Sequence, residues 1–317
     1  ATAGNFNNDI GLPLTLLGMR EGCRYVVAEM GMNHFGEIAA LTRIARPDVA
    51  VITNAGNAHL EMLGSVEGVA RAKGEIFEGL QAKGCAIINA DDVHAELWAK
   101  LASRFRQRTF GLKTAEVGAH SLQATAQGTR FVLDTPVDDA VVDLQVPGVH
   151  NVRNALAAAA VALELRVPME TIALGLEAYR GVKGRLEIKQ AFNGATLIDD
   201  TYNANPDSMR AAIDVLMARD GKSILVLGDM GEVGNESAQR HAEIGAYAKQ
   251  KGVGSLFVLG DAMKHAAQTG GGRHFDSVEE LVAAVRAVLA PDMTVLVKGS
   301  RFMQMERVVK ALQEQGN

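Results

Sequence analysis

The chain has 317 residues, with 32 Lys+Arg against 37 Asp+Glu for a net charge of −5, and 48% of its residues are hydrophobic. That is an ordinary globular composition, and at roughly 100 to 200 residues per domain it suggests about two domains, each able to close its own core. A mildly acidic balance without a basic tract leaves no electrostatic footprint for duplex nucleic acid or an anionic membrane, so neither is expected as a partner. The two cysteines, Cys23 and Cys85, lie far apart in apolar stretches. They show neither a disulfide framework nor metal-ligand spacing, and both are expected to be buried thiols in a reducing cytoplasm. The longest apolar run, residues 155–163, stops at Glu164, well short of the ~20 residues that span a bilayer. The opening Ala1-Thr2-Ala3-Gly4 has no charged n-region and no initiator Met. No signal peptide is expected, and the sequence reads as part of a longer protein.

From Arg24 onward, short β-branched runs alternate with stretches of helical period. Residues 25–30 read as a strand, 37–46 as a helix closed by Pro47, 49–53 as a strand, 65–80 as a helix and 85–89 as a strand. Apolar runs of this length bounded by turn residues suit strands buried on both faces, so this half is expected to be a parallel α/β sheet. Residues 119–146 alternate in character and suggest a small antiparallel appendage, followed by an alanine-rich helix at 151–165 opened by Gly148 and a helix at 169–179 after Pro168. Gly181-Val182-Lys183-Gly184 punctuates the chain and divides it into domains 1–181 and 182–317. Beyond it strands are expected at 196–199, 223–228, 256–260 and 294–298, and helices at 206–217, 238–249, 278–289 and 303–312. That alternation describes a second, Rossmann-like α/β domain.

The polar residues gather at the ends of these strands. In parallel sheets ligands collect at the carboxyl ends, so Glu29, closing the strand at 25–30, is placed for a metal or for phosphate-bound Mg2+. The next strand runs into Thr53-Asn54-Ala55-Gly56-Asn57-Ala58-His59, bringing an imidazole and two amides to the neighbouring loop. Lys73 sits among apolar helix neighbours near Glu75 and Glu78. An unmodified ammonium would repel a divalent ion, so Lys73 is a phosphate contact, a surface residue or a carbamate formed with CO2, and spacing does not choose among them. Asn151 and Asn154 lie one turn apart on one helix face, as amides reading a planar base or as caps. In the second domain, Lys183-Gly184-Arg185 precedes Asp199-Asp200-Thr201-Tyr202-Asn203-Ala204-Asn205-Pro206, a polar string suited to ribose or phosphate. The remaining strand ends are Gly228-Asp229-Met230-Gly231-Glu232 and Lys298-Gly299-Ser300-Arg301, where Ser300 and its flanking charges suit a carboxylate-bearing substrate.

Several familiar signatures are absent. Gly221-Lys222-Ser223 ends like a phosphate loop, but Leu216 stands where its first glycine belongs and the triplet precedes its strand. Gly252-Val253-Gly254 lacks the third glycine of a dinucleotide fingerprint. No zinc-protease, paired-CxxC or nucleophile-elbow motif occurs.

Taken together, the strings 4–13 (Gly-Asn-Phe-Asn-Asn-Asp-Ile-Gly-Leu-Pro), Glu29, Thr53-Asn54, Ala58-His59-Leu60-Glu61, Ala72-Lys73-Gly74-Glu75-Ile76-Phe77, Asn89-Ala90-Asp91-Asp92 and His150-Asn151-Val152-Arg153-Asn154 resemble the central ATPase domain of the Mur ligases. The strings Asp200 to Pro206, Leu227-Gly228-Asp229-Met230 and Lys298-Gly299-Ser300-Arg301 resemble the C-terminal domain of the dipeptide-adding branch. The resemblance covers essentially the whole chain. It implies a central parallel-sheet ATP-binding domain, truncated at its N-terminus, followed by a Rossmann-like ligase domain. It further implies an ATP-dependent amide ligase of peptidoglycan precursor synthesis, acting on UDP-N-acetylmuramoyl-tripeptide and D-alanyl-D-alanine through an acyl phosphate, as a cytoplasmic monomer serving cell-wall biogenesis, cell shape and division.

The same resemblance assigns residues. Glu29 would ligate Mg2+ at the β/γ-phosphates, His59 would help hold a second Mg2+, and Lys73 would stand beside it as a carbamate made with CO2. Asn151 and Asn154 would reach adenine, Arg185 the γ-phosphate and Asp200 the ribose. Asn5, Asn7, Asn8, Thr53 and Asn54 would line the muramoyl-peptide side, and Asn203, Asn205, Lys298 and Ser300 the amino-acid side. Glu29, His59 and Lys73 are therefore expected to converge on one divalent-cation pocket.

The pattern departs from the family at its start, where the UDP-sugar domain, a strand and a G-x-x-G-K-T loop are missing. The chain alone is accordingly expected to have negligible ligase activity. Residues 57–63 also differ from the family string, which leaves His59 in place but changes the loop around it. The rival readings are another ligase of the superfamily, such as the enzyme adding the third peptide residue or a folylpolyglutamate synthase, and a non-catalytic nucleotide-binding module. A dinucleotide oxidoreductase lacks its fingerprint.

Overall fold

The computed structural model describes all residues except 3, 5, 57–59 and 314–317, together with the backbone but not the side chains of Leu60 and Glu61. The chain forms two compact units. The first comprises Ala1–Leu122, Phe131–Val142 and Val152–Leu176, and the second Gln123–Arg130, Asp143–Asn151 and Glu177–Asn317. The architecture is mixed α/β with parallel sheets, as the alternation of runs implies.

In chain order the first elements are α1 (Gly11–Leu17), α2 (Glu37–Ala45), β1 (Val49–Ile52), α3 (Leu60–Leu63) and α4 (Val66–Gly74). They are followed by β2 (Cys85–Asn89), α5 (Ala95–Leu101) and β3 (Arg106–Phe110). Strands β1, β2 and β3 form a parallel sheet with β2 central. All five β2 residues are buried, which is why this run is uniformly apolar until Asn89. Against the sheet pack Phe77, Leu80, Ala70 and the fully buried Trp98, whose indole donates to the Ala70 carbonyl at 2.9 Å.

Three expectations for this unit are corrected. Residues 25–30 are extended but enter no ladder among the described residues, and Tyr25 and Val27 are exposed. Their backbone makes isolated bonds instead, Thr2 N–H to the Val27 carbonyl at 3.0 Å and Glu29 N–H to Thr2 Oγ1 at 2.9 Å. Cys23 is exposed, in a turn that no apolar cluster covers among the described residues, whereas Cys85 is buried as expected. Burial pushes the Cys85 thiol up to about 11. The expected helix at 65–80 ends at Gly74 and continues as a 3-10 turn, Glu75–Gly79. The tighter turn brings Gly79 against the Thr42 carbonyl, where a Cβ would lie 2.2 Å from the oxygen.

Next come β4 (Gly118–Ala124), β5 (Thr129–Asp134) and β6 (Ala140–Leu144), a three-stranded sheet in sequence order. Connections of four and five residues are too short for parallel crossovers, so the sheet is the antiparallel meander its alternation predicts. Helices α6 (Val149–Glu164) and α7 (Met169–Ala178) follow.

The remaining elements are β7 (Glu187–Gln190), β8 (Thr196–Asp200), α8 (Pro206–Met217), β9 (Lys222–Gly228), α9 (Ser237–Lys251), β10 (Ser255–Leu259), α10 (Met263–Gly270), β11 (Arg273–Phe275), α11 (Val278–Val288), β12 (Met293–Lys298) and α12 (Glu306–Gln313). The sheet order is β11-β10-β9-β12-β8-β7, parallel from β11 through β8 with β7 antiparallel at the edge. Alternate strand residues serve opposite faces. Leu225, Leu227, Val258 and Leu296 pack with α8, α9 and α10, whereas Ile224, Val226, Phe257 and Val297 pack with α11 and α12. This is the doubly wound arrangement expected of the second half. The helix expected at 303–312 starts only at Glu306, because Gln304 takes a left-handed φ of 50° after a 3-10 turn at Arg301–Met303.

Helices α9 and α10 approach so closely that a Cβ on Gly245 would sit 2.1 Å from the Ala266 carbonyl oxygen, which is backbone and has little room to yield. Gly245→Ala should therefore destabilise the protein by about 1–3 kcal/mol by forcing the helices apart. Urea unfolding measures this, and an unchanged midpoint would show that the pair separates freely.

Candidate functional site

Within the first unit, parallel pairing of β1 and β2 sets Ile52 opposite Ile88, so both strands deliver their loops at one edge. The β2 loop carries the β1 loop on its side chains. Asn89 Nδ2 donates to the Thr53 carbonyl at 2.7 Å, and Asp92 Oδ2 accepts the Ala55 N–H at 2.8 Å. The other Asp92 oxygen accepts the His94 N–H at 2.9 Å and lies 3.2 Å from its Nδ1. Thr53 and Asn54 are left exposed on this supported loop.

Lys73, near the end of α4, donates from Nζ to the Asn54 carbonyl at 2.6 Å. Burial pushes its ammonium below the ordinary lysine value, and the Asp92 charge opposes that shift. Glu29 is exposed, and its Oε1 accepts a hydrogen bond from Asn7 Nδ2 at 2.9 Å. A Cβ on Gly31 would lie 2.8 Å from the Asn7 side chain, so the glycine lets that amide reach across. Asn8 is committed differently, its Oδ1 accepting the Gly11 N–H at 2.9 Å where α1 begins.

The chain neighbours of Glu29, Asn54 and Lys73 are Met30, Ala55 and Ala72, and all three belong to one apolar cluster with Met32, Val69 and Leu63. The backbone thus brings these segments together. Asn5 and His59 lie outside the described residues. Among the described residues no group of three or more His, Cys, Asp or Glu side chains is poised for a metal.

Sequence reasoning gave no separate role to the acids that build this edge. Asp91 accepts the N–H groups of Leu112 and Lys113 at 2.8 and 3.1 Å, and Arg153 Nε on α6 at 3.2 Å. Burial alone would raise its carboxyl, but those donors outweigh it and hold the group below the usual carboxylate range. Glu75 accepts from Gly36 N and Ala39 N and so caps α2. On α6, Asn151 donates to the Pro147 carbonyl at 2.7 Å, and Asn154 is exposed one turn further on.

In the second unit the strand ends form an interlocked set. Register places Lys298 directly beside Asp200, and Nζ meets Oδ2 at 2.7 Å. Lys298 also donates to the Asn203 carbonyl at 2.8 Å and is only 2% exposed. Burial pushes the Asp200 carboxyl up, while Lys298, the Leu186 N–H and Arg185 pull it down. The neighbouring acid, Asp199, points to the other face and pairs with Lys189 of β7 at 2.6 Å. Ser300 is buried, accepting the Gly231 N–H at 2.7 Å and donating to the Ala204 carbonyl at 3.1 Å. Asn205 is the N-cap of α8 in a capping box with Ser208, and Asn203 is exposed beside it. Through these bonds Asp200, Lys298 and Ser300 hold three loops together. Arg185 remains exposed, its guanidinium 4.3 Å above the Tyr202 ring.

The loop after β9 has a support that the sequence did not reveal. His241 on α9 is fully buried, its Nε2 accepting the Met230 N–H at 2.9 Å while Nδ1 lies 2.6 Å from the Ser237 carbonyl. Those partners require the neutral ring with its proton on Nδ1. Burial pushes the group below the ordinary histidine value. An unfolded His241 takes up a proton near pH ~6.5 while the folded one stays neutral. Its contribution to stability is therefore complete above that pH and is lost as pH falls from there toward the lower folded value. His241→Gln should flatten the stability slope between about pH 7 and 5 in urea titrations, and an unchanged slope would remove His241 as its source.

Comparison with known proteins identifies the family. The descriptions "Mur ligase middle domain" and "Mur ligase, glutamate ligase domain" match residues 1–162 and 184–301. A relative from Escherichia coli (strain K12), named UDP-N-acetylmuramoyl-tripeptide--D-alanyl-D-alanine ligase, is 42% identical across 99% of this chain and 71% of its own length. A Bacillus subtilis relative of the same name is 37% identical across 99% of this chain and 69% of its own. Among solved structures, MurF from Acinetobacter baumannii superposes with a TM-score of 0.94 at 37% identity, covering 99% of this chain and 70% of that one. MurF ligase from Thermotoga maritima in complex with ADP gives 0.88 at 25% identity, covering 98% and 72%. With identity at this level along nearly all of its length, the chain belongs to the Mur ligase family.

Proposed function

We propose that the protein is an ATP-dependent amide ligase of peptidoglycan precursor synthesis that joins D-alanyl-D-alanine to UDP-N-acetylmuramoyl-tripeptide. The observation that carries this reading is the match, along 99% of the chain, to relatives named for that reaction. The ADP-bound relative supports a nucleotide at the same fold. In the reaction, a tripeptide carboxylate oxygen attacks the γ-phosphorus of ATP, releasing ADP. The dipeptide amine, having lost a proton, then attacks the acyl carbon and inorganic phosphate leaves.

The residues divide into contacts and supports. Exposed Thr53 and Asn54, with Asn5, Asn7 and Asn8, serve the muramoyl-peptide side; Asn151 and Asn154 serve adenine; and Arg185 serves the γ-phosphate. Asn203, exposed and with its Oδ1 accepting the Ala204 N–H at 2.8 Å, serves the incoming dipeptide with its amide NH2. Asp200, Lys298, Ser300 and Asn205 act by holding that edge, since their polar atoms are engaged within the protein. A Mg2+ ion bound with nucleotide needs only one or two carboxylates beside phosphate and water. Glu29 fits that role, being exposed with one oxygen steadied by Asn7. Lys73 fits a carbamate, being partly buried with a depressed ammonium value against the same loop. With His59 it would hold the second Mg2+. The metals supply positive charge against the phosphates and the tetrahedral centre.

With such substrates we read the enzyme as cytoplasmic, and we propose that it acts as a monomer. No helix among the described residues is long and apolar enough to cross a membrane. The full-length protein, given ATP, the UDP-linked tripeptide and D-alanyl-D-alanine, should release phosphate only with all three present. Single amino acids or glutamate serving equally well would move the assignment to another ligase of the superfamily.

A further inference from the structure

Arg185 is held in a way that distinguishes it from the other arginines near the strand ends. It stands between two left-handed residues, Gly184 at φ +71° and Leu186 at φ +51°. A left-handed leucine is unfavourable, and such strain persists only where surroundings enforce it. Here they do. Leu186 is buried, and its N–H donates to Asp200 Oδ1 at 3.2 Å, while the Gly184 carbonyl accepts the Tyr202 N–H at 2.9 Å. The turn that lifts Arg185 is therefore bolted on both sides to the β8 end and its loop.

The guanidinium itself lies on the Tyr202 ring. A carboxylate partner would consume its in-plane N–H donors, as Glu306 does for Arg301 and Asp91 for Arg153. Among the described residues no carboxylate comes within 4.0 Å of Arg185 in this way. An aromatic face occupies the flat side of the cation and leaves the donor edge open. A strained turn, an open donor edge and a position at the carboxyl end of a parallel sheet together describe a guanidinium kept ready for an anion.

We propose that Tyr202 is the positioning residue for Arg185, its ring holding the guanidinium so that the free edge meets the terminal phosphate of the nucleotide. This rests on the ligase reading above and adds a role for an aromatic residue within it. The ring, not the hydroxyl, carries the function, so Tyr202→Phe preserves it and Tyr202→Leu removes it. Because the terminal phosphate is what Arg185 meets, ATP affinity responds and ADP affinity does not.

The test is calorimetric binding of Mg-ATP and Mg-ADP to the full-length protein and its variants. Tyr202→Leu should weaken Mg-ATP about tenfold, leave Mg-ADP unchanged, and have no further effect in an Arg185→Ala background. Tyr202→Phe should match the parent for both nucleotides. Equal losses for both nucleotides, a loss in Tyr202→Phe, unchanged ATP affinity in Tyr202→Leu, or an undiminished effect without Arg185 would each overturn the proposal. Failure of the parent protein to bind Mg-ATP would instead overturn the nucleotide reading beneath it. Melting temperatures of both Tyr202 variants, expected within a few degrees of the parent, separate a positioning role from general unfolding.

Discussion

Lys298→Met should destabilise the protein by about 3–5 kcal/mol, because it leaves the Asp200 carboxylate buried without its counter-charge. The two residues face each other across β12 and β8 at 2.7 Å, with Lys298 only 2% exposed. Removing Lys298 also strips the Asn203 carbonyl of its donor. Asp200→Asn alone should cost less than this, since an amide oxygen still accepts from Leu186 and the ammonium keeps the Asn203 carbonyl. The double variant Asp200→Asn/Lys298→Met should recover part of the loss, as buried pairs contribute little net stability but are costly to break. Urea unfolding of the four proteins closes the cycle. A Lys298→Met cost under about 1 kcal/mol would mean that water reaches the pair.

The importance of that pair lies in what it holds. Lys298 fastens the Asn203 carbonyl, Ser300 fastens Ala204 and Gly231, and Asp200 fastens Leu186. Three loops from separate strand ends, together with the turn bearing Arg185, therefore share one buried polar knot. A sequence reader sees Asp, Lys and Ser at strand ends and infers ligand contact. In the structure these residues are buried and bonded to neighbouring loops, while Arg185, Tyr202 and Asn203 are exposed.

Much of the second unit was legible because central parallel strands must be apolar on both faces. The run at 223–228 and its partners therefore stand out against amphipathic helices. Strand β3 did not stand out, because its sequence Arg-Gln-Arg-Thr-Phe is that of an exposed edge and only pairing with β2 makes it a strand. Residues 25–30 failed in the opposite sense. They have the composition of a strand, yet strand structure is a property of the ladder, and no ladder forms there among the described residues. Near the candidate site, the expected strand end at Glu29 is extended chain without a ladder, whereas Lys73 does lie on an apolar helix, α4. The bonds of Asp92 and His241 and the packing of Arg185 on Tyr202 were not legible, because each is a contact between separate elements, such as Met230 N to His241. The left-handed turn at Leu186 has no sequence signal, since leucine is among the residues least suited to it.

Replacing Lys73 with Ala should lower the ligation rate of the full-length protein on the order of a hundred- to a thousand-fold, the scale of losing one preorganised charge at a phosphoryl-transfer centre. The fold should survive, because the lysine contributes one hydrogen bond to the Asn54 carbonyl, worth about 1–3 kcal/mol. An ordinary lysine near pH 7 is free amine in well under one molecule in about a thousand, and only the free amine adds to CO2. Burial lowers the Lys73 value and so enlarges that reactive fraction at neutral pH. In a carbamate that nitrogen would bond the CO2 carbon and lose a proton, turning a cationic stem into an anionic one. Activity should consequently fall in CO2-stripped buffer and return with added bicarbonate, and lowering the pH should deepen the fall by protonating the amine. Lys73→Ala should be indifferent to bicarbonate, while Lys73→Glu, which carries a permanent carboxylate, should keep partial activity without it. A parent enzyme insensitive to bicarbonate depletion, or a Lys73→Ala variant within threefold of the parent's rate, would leave Lys73 as a structural prop for the β1 loop and no more.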